Sequence, residues 1–228
     1  MAASSIKPLQ SDVAIAGGGP VGLTLALALA RRGYESVVVD AAPAPSPGKP
    51  SADSRAFFIA YGCWRIFRAL GLEGKLLVHA EPVTSVEAEG RIGGISFLAE
   101  DCESEPVLGY MIEAAQLAPV LHAAVKAEAG VRLVSGAKIE SVAFGDPLAS
   151  VRYGGGEAHA SLVIGCDGAK SIVRKSAGLR FEGRDYDAKA ISTTVKLSKP
   201  HNGAARQIFM PGGPMAVLPL KDNRANLI

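Results

Sequence analysis

Three glycines near the start of the chain have the spacing of a dinucleotide-binding turn. They form a G-x-G-x-x-G pattern at residues 17–22, after an apolar run at residues 13–16 that predicts a buried strand. In such a turn the first glycine allows a tight bend, the second lets the backbone approach a pyrophosphate, and the third lets the following helix pack on the sheet. The candidate cofactor-binding residues of this turn are Gly17, Gly19, Pro20, Val21 and Gly22.

An aspartate at the end of the next predicted strand narrows the choice of dinucleotide. Residues 36–39 predict a second buried strand, and Asp40 ends it. A carboxylate at this position accepts hydrogen bonds from both ribose hydroxyls and repels a 2′-phosphate, which favours FAD or NAD over NADP. The alternative is a glycine-rich turn in an ordinary α/β domain with an unrelated aspartate. That alternative requires strand, turn, helix and acid to coincide by chance.

A second glycine-bearing signature lies much later in the chain. Residues 162–166 predict another buried strand, and Asp167 and Gly168 follow it directly, with Ser171 and Arg174 completing a DGxxSxVR pattern. An Asp-Gly pair is also a common turn dipeptide, so an ordinary turn with an unrelated serine and arginine is the alternative interpretation.

Composition excludes several classes of function. The 228 residues suffice for a sizeable core, and a net charge of +2 with scattered basic residues leaves no nucleic-acid footprint. No signal peptide is visible, so we expect a cytoplasmic protein. Cys63, Cys102 and Cys166 are odd in number and have no histidines at ligand spacing, which predicts buried thiols in a reducing compartment and no metal site.

The order of predicted elements is interleaved, which indicates an α/β protein. Ile66, Phe67 and Leu70 share one face of a predicted helix, and dispersed apolar residues between positions 82 and 111 predict short strands. A helix is expected over residues 114–129. Further strands are expected at 131–134, 139–144, 150–153, 191–197, 207–210 and 215–220.

Together these motifs make the chain similar to the para-hydroxybenzoate-hydroxylase-like flavoprotein monooxygenases, and within them to the ubiquinone-biosynthesis hydroxylases. The resemblance rests on the glycine turn, Asp40, Asp53-x-Arg55, Tyr61-Gly62, the segment from Asp167 to Arg174, and Gly213-Pro214-x-Ala216-x-Leu218-Pro219-Leu220.

The resemblance implies a Rossmann-like FAD-binding domain interleaved with a β-rich substrate domain, of which the C-terminal part is missing here. The expected segments are 1–80 (FAD-binding βαβ region), 81–110 (inserted strands of the substrate side), 111–185 (FAD-binding domain continued) and 186–228 (start of the substrate sheet).

The resemblance also implies a cofactor and a reaction. FAD is the expected dinucleotide, with Arg55 directed toward its pyrophosphate, and with Asp167 and Gly168 near the pyrophosphate and the nicotinamide-cofactor path. In this class NAD(P)H reduces the flavin and O₂ supplies an oxygen atom to an activated aromatic ring. No nucleophilic side chain is needed, so no catalytic residue is named.

The implied substrate is a large phenol, either prenylated or without a prenyl chain. A membrane surface or a quinone-biosynthesis complex is expected to supply it, and a second copy of the chain is a further implied partner. Relatives carry a second FAD signature that has no counterpart before Ile228, so we expect either part of a longer enzyme or a short relative, inactive by itself. Two other functions remain open at this point. One is a flavin-dependent reductase or epoxidase of the same fold, and the other is an inactive FAD-binding or scaffold module.

Overall fold

The computed structural model describes residues 7–46, 53–102, 105–184 and 186–228. Its helices and strands follow in chain order. The first half contains β1 (Leu9–Ala16), α1 (Pro20–Ala30), β2 (Ser36–Asp40), β3 (Ala56–Ala60), α2 (Tyr61–Ala69), α3 (Glu73–Leu77), β4 (Glu81–Val83), β5 (Ser85–Gly90), β6 (Gly93–Leu98) and β7 (Gly109–Glu113). The second half contains α4 (Ala114–Lys126), β8 (Val131–Ser135), β9 (Ile139–Ala143), β10 (Ala149–Tyr153), β11 (Gly156–Gly165), α5 (Ile172–Ser176), β12 (Thr193–Lys196), β13 (Ala204–Met210), β14 (Gly213–Leu220) and β15 (Arg224–Leu227).

The chain divides into two compact units, and each is built from separate stretches of sequence. The first unit comprises Met1–Lys49 and Leu121–Arg184, and the second comprises Pro50–Val120 and Asp185–Ile228. Both the segment 81–110 and the segment 186–228, which the sequence assigned to the substrate side, lie in the second unit. Residues 53–80, assigned to the FAD-binding side, lie there as well.

The sheet of the first unit has the strand order β8-β2-β1-β11-β10-β9. β8, β2, β1 and β11 are parallel, whereas β10 and β9 extend the sheet antiparallel. The second half of β1 and the first four residues of β2 are buried, as expected for central parallel strands covered by helices. The buried side chains of α1 include Leu23, Ala26 and Leu27, which share one face of the helix.

The second unit contains two sheets. Their strand orders are β12-β15-β14-β13-β5-β6 and β3-β7-β4. A cluster of Val83, Met111, Ala205 and Leu220 is buried between residues of both sheets. The predicted mixed α/β fold with interleaved sequence segments is therefore confirmed.

The predicted burial pattern was wrong at several positions. Ile66 is 45% exposed, and the fully buried residue of α2 is Trp64. Trp64 is tolerated there because its indole N–H donates to a carboxylate oxygen of Glu73 at 3.0 Å. The cysteines are not buried thiols, because Cys63 and Cys102 are exposed and Cys166 is only partly covered.

Most predicted elements lie where the pattern placed them, with β3, α3 and β15 as additions. The proline-rich loop after Asp40 is exposed over residues 41–46, and its remainder at 47–50 lies outside the described residues. In the parts of the chain that the structure describes, no helix is long and apolar enough to cross a membrane.

Candidate functional site

The glycine turn between β1 and α1 is formed by backbone groups that leave no room for side chains. Gly17 has a φ of +101°, and a Cβ there would lie 2.3 Å from the carbonyl oxygen of Cys166. A Cβ on Gly22 would lie 1.9 Å from the carbonyl oxygen of Gly17. At Gly19, in contrast, nothing lies within 4 Å of a Cβ position, so this side of the turn is open. The first and third glycines thus serve packing, and the second borders the space where a ligand fits.

The amino end of α1 offers backbone donors to that open space. Pro20 begins the helix and has no N–H, and the first bond of the helix runs from the Leu23 N–H to the Gly19 carbonyl at 3.0 Å. The N–H groups of Val21 and Gly22 precede this bond and have no partner inside the helix. No side chain among the described residues caps them. Such a helix end attracts anionic groups, phosphates in particular.

Asp40 is fixed against the turn by two backbone donors. One carboxylate oxygen accepts a short hydrogen bond from the Gly18 N–H, and the other accepts from the Ala42 N–H at 2.6 Å. A Cβ on Gly18 would lie 2.9 Å from the Asp40 side chain. Each carboxylate oxygen has a second lone pair that remains available to a ribose hydroxyl. The requirement for glycine at position 18 was missed from the sequence, although three consecutive glycines were its signal.

Asp40 also has a titratable neighbour that the sequence did not indicate. His122 on α4 is partly buried, and this burial lowers the pKa of its imidazole. The negative charge of Asp40 acts in the opposite direction. His122 is therefore within electrostatic range of the candidate ribose-binding carboxylate.

The second signature lies beside the first, because β1 and β11 are neighbouring parallel strands. Ala16 is opposite Gly165, and the Cys166 N–H donates to the Ala16 carbonyl at 2.7 Å. Both turns therefore leave the sheet at the carboxyl edge of adjacent strands, where ligands bind in open α/β sheets. Burial raises the pKa of the Cys166 thiol, and Asp167 adds to this shift.

The carboxylate of Asp167 is directed into its own loop. Its Oδ2 accepts from the N–H groups of Ile172 at 2.6 Å and Val173 at 3.4 Å, at the start of α5. Its Oδ1 is buried and has no hydrogen-bond partner within the described residues. Gly168 has a φ of +79°, which a side chain would strain. Asp167 and Gly168 thus shape the loop, and its buried Oδ1 is an unused acceptor.

Arg174 closes the same loop from the other end. Its guanidinium donates to the Ala169 carbonyl at 2.6 Å and lies 4.2 Å from the centroid of the Phe181 ring. Its own backbone N–H is capped by the hydroxyl of Ser171 at 3.0 Å. The serine and arginine of the DGxxSxVR pattern therefore act within the loop itself.

Arg55 lies in the second unit, whereas the glycine turn lies in the first. Its guanidinium forms a two-pronged ion pair with Asp53, with distances of 2.8 and 2.6 Å, and the Arg55 side chain is 68% exposed. This hydrogen bonding lowers the pKa of Asp53. Contact between Arg55 and a pyrophosphate stays a prediction.

The second unit contains buried hydrogen bonds and an ion pair that the sequence did not reveal. Asn226 is fully buried, and its amide donates to the carbonyls of Ser54 at 3.1 Å and Thr193 at 3.2 Å. Arg224 on β15 and Glu113 at the end of β7 form a partly buried, two-pronged ion pair at 3.1 and 2.8 Å. Both interactions connect β15 to neighbouring segments, and the side chains of Arg224 and Glu113 are engaged with each other.

Comparison with known proteins shows the family of the chain. The sequence family described as an FAD binding domain matches residues 10–226. The chain belongs to this family. Its relatives include ubiquinone hydroxylase UbiL of Rhodospirillum rubrum, 31% identical over 219 residues, which cover 96% of this chain and 51% of that protein. The 3-demethoxyubiquinol 3-hydroxylase of Escherichia coli is 33% identical over 222 residues, covering 96% of this chain and 56% of that protein.

Solved structures of flavin-dependent monooxygenases share the fold. The flavin-dependent monooxygenase PieE, in complex with FAD and substrate, superposes with a TM-score of 0.77 at 23% identity, covering 97% of this chain and 43% of that one. PqsL, a probable FAD-dependent monooxygenase of Pseudomonas aeruginosa, superposes with a TM-score of 0.77 at 23% identity, covering 96% of this chain and 59% of that one. The resemblance expected from the motifs is confirmed, and the chain spans about half the length of UbiL and of the Escherichia coli hydroxylase.

Proposed function

We propose that this chain is the FAD-binding part of an aromatic-ring hydroxylase that uses NAD(P)H and O₂. The observation that supports it best is the pair of turns at the carboxyl edge of β1 and β11, with Gly17 and Gly22 packed too closely to admit a Cβ. An FAD pyrophosphate fits the open side of this cradle, since the Gly19 position is unobstructed and α1 begins there.

Each group of the turn has a distinct task in this proposal. The N–H groups of Val21 and Gly22 hold the pyrophosphate, and Asp40 accepts the ribose hydroxyls while it keeps its bonds to Gly18 and Ala42. FAD bound there would supply the redox chemistry that couples oxidation of NAD(P)H to hydroxylation of the ring by O₂, with the second oxygen atom leaving as water. The residues of this chain bind and orient it.

The assignments of Arg55, Asp167 and Gly168 belong to the same proposal. The carboxylate of Asp167 holds the loop against α5, so we propose that this loop meets the cofactor through its backbone, with Gly168 at the turn. Arg55 is proposed as a phosphate ligand whose guanidinium leaves Asp53 and binds the pyrophosphate when FAD is present. A guanidinium forms two parallel hydrogen bonds with a carboxylate and with a phosphate alike.

The proposed substrate is a phenolic quinone precursor, large and apolar, with a prenyl chain. The support is the similarity to ubiquinone hydroxylase UbiL and to 3-demethoxyubiquinol 3-hydroxylase. A prenylated phenol partitions into a bilayer, so the proposal includes transient association with a membrane surface or with a quinone-biosynthesis complex. NAD(P)H is proposed as the reductant on the same similarity.

FAD binding is tested by fluorescence quenching with the wild-type chain and with Asp40→Ala. Loss of the charge-assisted bonds to ribose costs about 1–3 kcal/mol, which raises the dissociation constant about 5- to 150-fold. The matched control is Asp12→Ala. Asp12 also accepts a backbone N–H, from Glu35 at 2.8 Å, but just before the amino end of β2. Equal affinity for FAD in the Asp40 variant and the wild type would remove Asp40 from the site.

The hydroxylation itself is tested on the protein encoded by the whole reading frame. NAD(P)H oxidation, O₂ uptake and product are measured with prenylated phenols and with polar hydroxybenzoates. We expect product to match NAD(P)H consumption only with the prenylated compounds. Coupled turnover restricted to polar substrates contradicts the substrate class, and FAD binding without reduction by NAD(P)H contradicts the reductant.

A further inference from the structure

The outer strand of the second unit's larger sheet lacks the features that usually protect a sheet edge. β6 has the sequence GGISFL, with no charge and no proline over its whole length. Ile95 is 57% exposed and Phe97 is 54% exposed. The opposite outer strand, β12, carries Lys196. Natural edge strands usually carry charges, prolines or bulges that prevent pairing with another chain, so β6 is suited to accept a strand.

The hairpin geometry shows which backbone groups of β6 face outward. β5 and β6 pair in regular antiparallel register from Gly90–Gly93 to Ser85–Leu98. A two-residue turn is closed by a hydrogen-bonded pair, and such pairs alternate along the hairpin. Residues 93, 95 and 97 therefore bond to β5, and residues 94, 96 and 98 face away from it.

Two hydrogen bonds at the end of the strand agree with this alternation. The Ala99 N–H donates inward to the Thr84 carbonyl at 2.8 Å. The Leu98 N–H instead donates to a carboxylate oxygen of Asp101 at 3.3 Å. Among the residues described, Leu98 is therefore the one outward-facing residue of β6 whose backbone N–H has a partner within the chain. The N–H groups of Gly94 and Ser96 are available to another strand.

We propose that β6 pairs antiparallel with β6 of a second copy of this chain, across a two-fold axis at Ser96. Only outward-facing residues can bond, so Ser96 faces Ser96 and Gly94 faces Leu98 of the second copy. In the same register Ile95 is directly opposite Phe97 of the second copy, and their side chains lie on the same face of the sheet. Such apolar cross-strand pairs stabilise a sheet, and the two-fold axis makes both of them at once.

The charges that flank β6 are complementary in this register. Arg91 lies in the turn before the strand, and Glu100 and Asp101 follow it. Antiparallel pairing centred on Ser96 places the Arg91 turn of each copy beside the acidic end of the other. The Asp101 carboxylate, which loses the Leu98 N–H to the new strand, gains a guanidinium in exchange.

A second copy of the chain fits the edge of β6 better than a lipid surface or a strand of a different protein does. A lipid surface would contact the exposed tip residue Ile92, but it would leave the outward N–H and C=O groups of β6 unpaired. A strand from a different protein need not complement Arg91 and Asp101, which flank β6, whereas a second copy of this chain supplies both charges in the matching order. The inference uses no residue of the proposed FAD site, and it holds or fails independently of the proposed function.

The first test is sedimentation of the 228-residue chain over a range of concentrations. We expect a monomer–dimer equilibrium in the wild type and in Ser96→Ala, and a monomer in Ser96→Pro. Proline removes an outward N–H and no bond to β5, so circular dichroism should show the same secondary structure in both variants. A wild type that is monomeric at every concentration, or a dimer that Ser96→Pro leaves intact, overturns the proposal.

Charge exchange tests the register without proline. Arg91→Asp and Asp101→Arg, each alone, should raise the dimer dissociation constant about tenfold at low salt, and the double variant should restore it. Additive weakening in the double variant contradicts the register.

Crosslinking gives a direct measurement of the same register. In a Cys63→Ser/Cys102→Ser background, Ser96→Cys should form a disulfide-linked dimer on oxidation, because paired Cα atoms lie about 5.5 Å apart. Ser141→Cys on the edge strand β9 is the matched control and should stay monomeric. Crosslinking of both, or of neither, overturns the proposal. Binding to phosphatidylcholine–phosphatidylglycerol vesicles that Ile92→Asp abolishes, without a dimer, assigns the surface to lipid instead.

Discussion

Replacing Gly22 with alanine tests the close packing of α1 on the glycine turn. The added Cβ would lie 1.9 Å from the Gly17 carbonyl oxygen and 3.3 Å from the Cys166 Cβ. A carbon–oxygen contact of about 3.3 Å requires the helix to move by about 1.4 Å, because backbone cannot rotate away as a side chain does. Such overpacking costs up to about 3 kcal/mol, and the better helix propensity of alanine returns about 1 kcal/mol. The net loss is therefore about 2 kcal/mol.

Thermal unfolding followed by far-ultraviolet circular dichroism measures this loss. At this chain length, about 2 kcal/mol lowers the Tm by about 4–8 °C. Gly74→Ala in α3 is the matched control, since nothing lies within 4 Å of its Cβ position and its backbone is helical. That variant should keep or raise the Tm. A Gly22 variant with the wild-type Tm would refute the close approach of helix and turn.

Two further predictions concern the second unit. Hydrogen bonding to Arg68 lowers the pKa of Glu73 below its unfolded value of about 4.3. The stability that the ionised Glu73 side chain contributes is therefore fully present above a pH of about 4.3, and it is lost as the pH falls through the folded pKa. Urea midpoints followed by Trp64, the sole tryptophan, should fall less steeply below that pH in Glu73→Gln, and equal slopes would contradict this. Asn226→Ala should destabilise the chain by about 2–3 kcal/mol, because it removes a fully buried side chain together with the donors to the Ser54 and Thr193 carbonyls, and Ser192→Ala by less. Urea unfolding that ranks these two variants in the reverse order would be inconsistent with the observed network.

The first unit was largely predictable because its signals are local. The bend at Gly17 and the acid at Asp40 each follow a short apolar run, and such runs predict buried strands. The sequence could not show that Asp40 bonds to Gly18, since the two are 22 positions apart. It also could not show that the Asp167 carboxylate turns toward α5, because a turn dipeptide does not specify a partner.

The errors fall where burial depends on distant partners. Helical spacing grouped Ile66 with Phe67 and overlooked Trp64, whose burial requires the carboxylate of Glu73 nine positions later. Cys63 is exposed although free cysteines are usually buried. The Asn226 network joins the chain across 172 positions, and no periodic pattern signals it.

The pairing of β1 with β11 has a consequence for synthesis of the chain. Residues 13–16 meet residues 162–165, so the ribosome must pass residue 165 before one edge of β1 can close. Until then β1 is paired with β2 alone at best, and an apolar parallel strand offers its free edge to other nascent chains. Pairing over so long a loop is also slow to form, so the closure of β1 against β11 should limit the rate of folding. A holdase chaperone on the emerging chain would protect that edge, and the glycine cradle exists only once β1 has paired with β11.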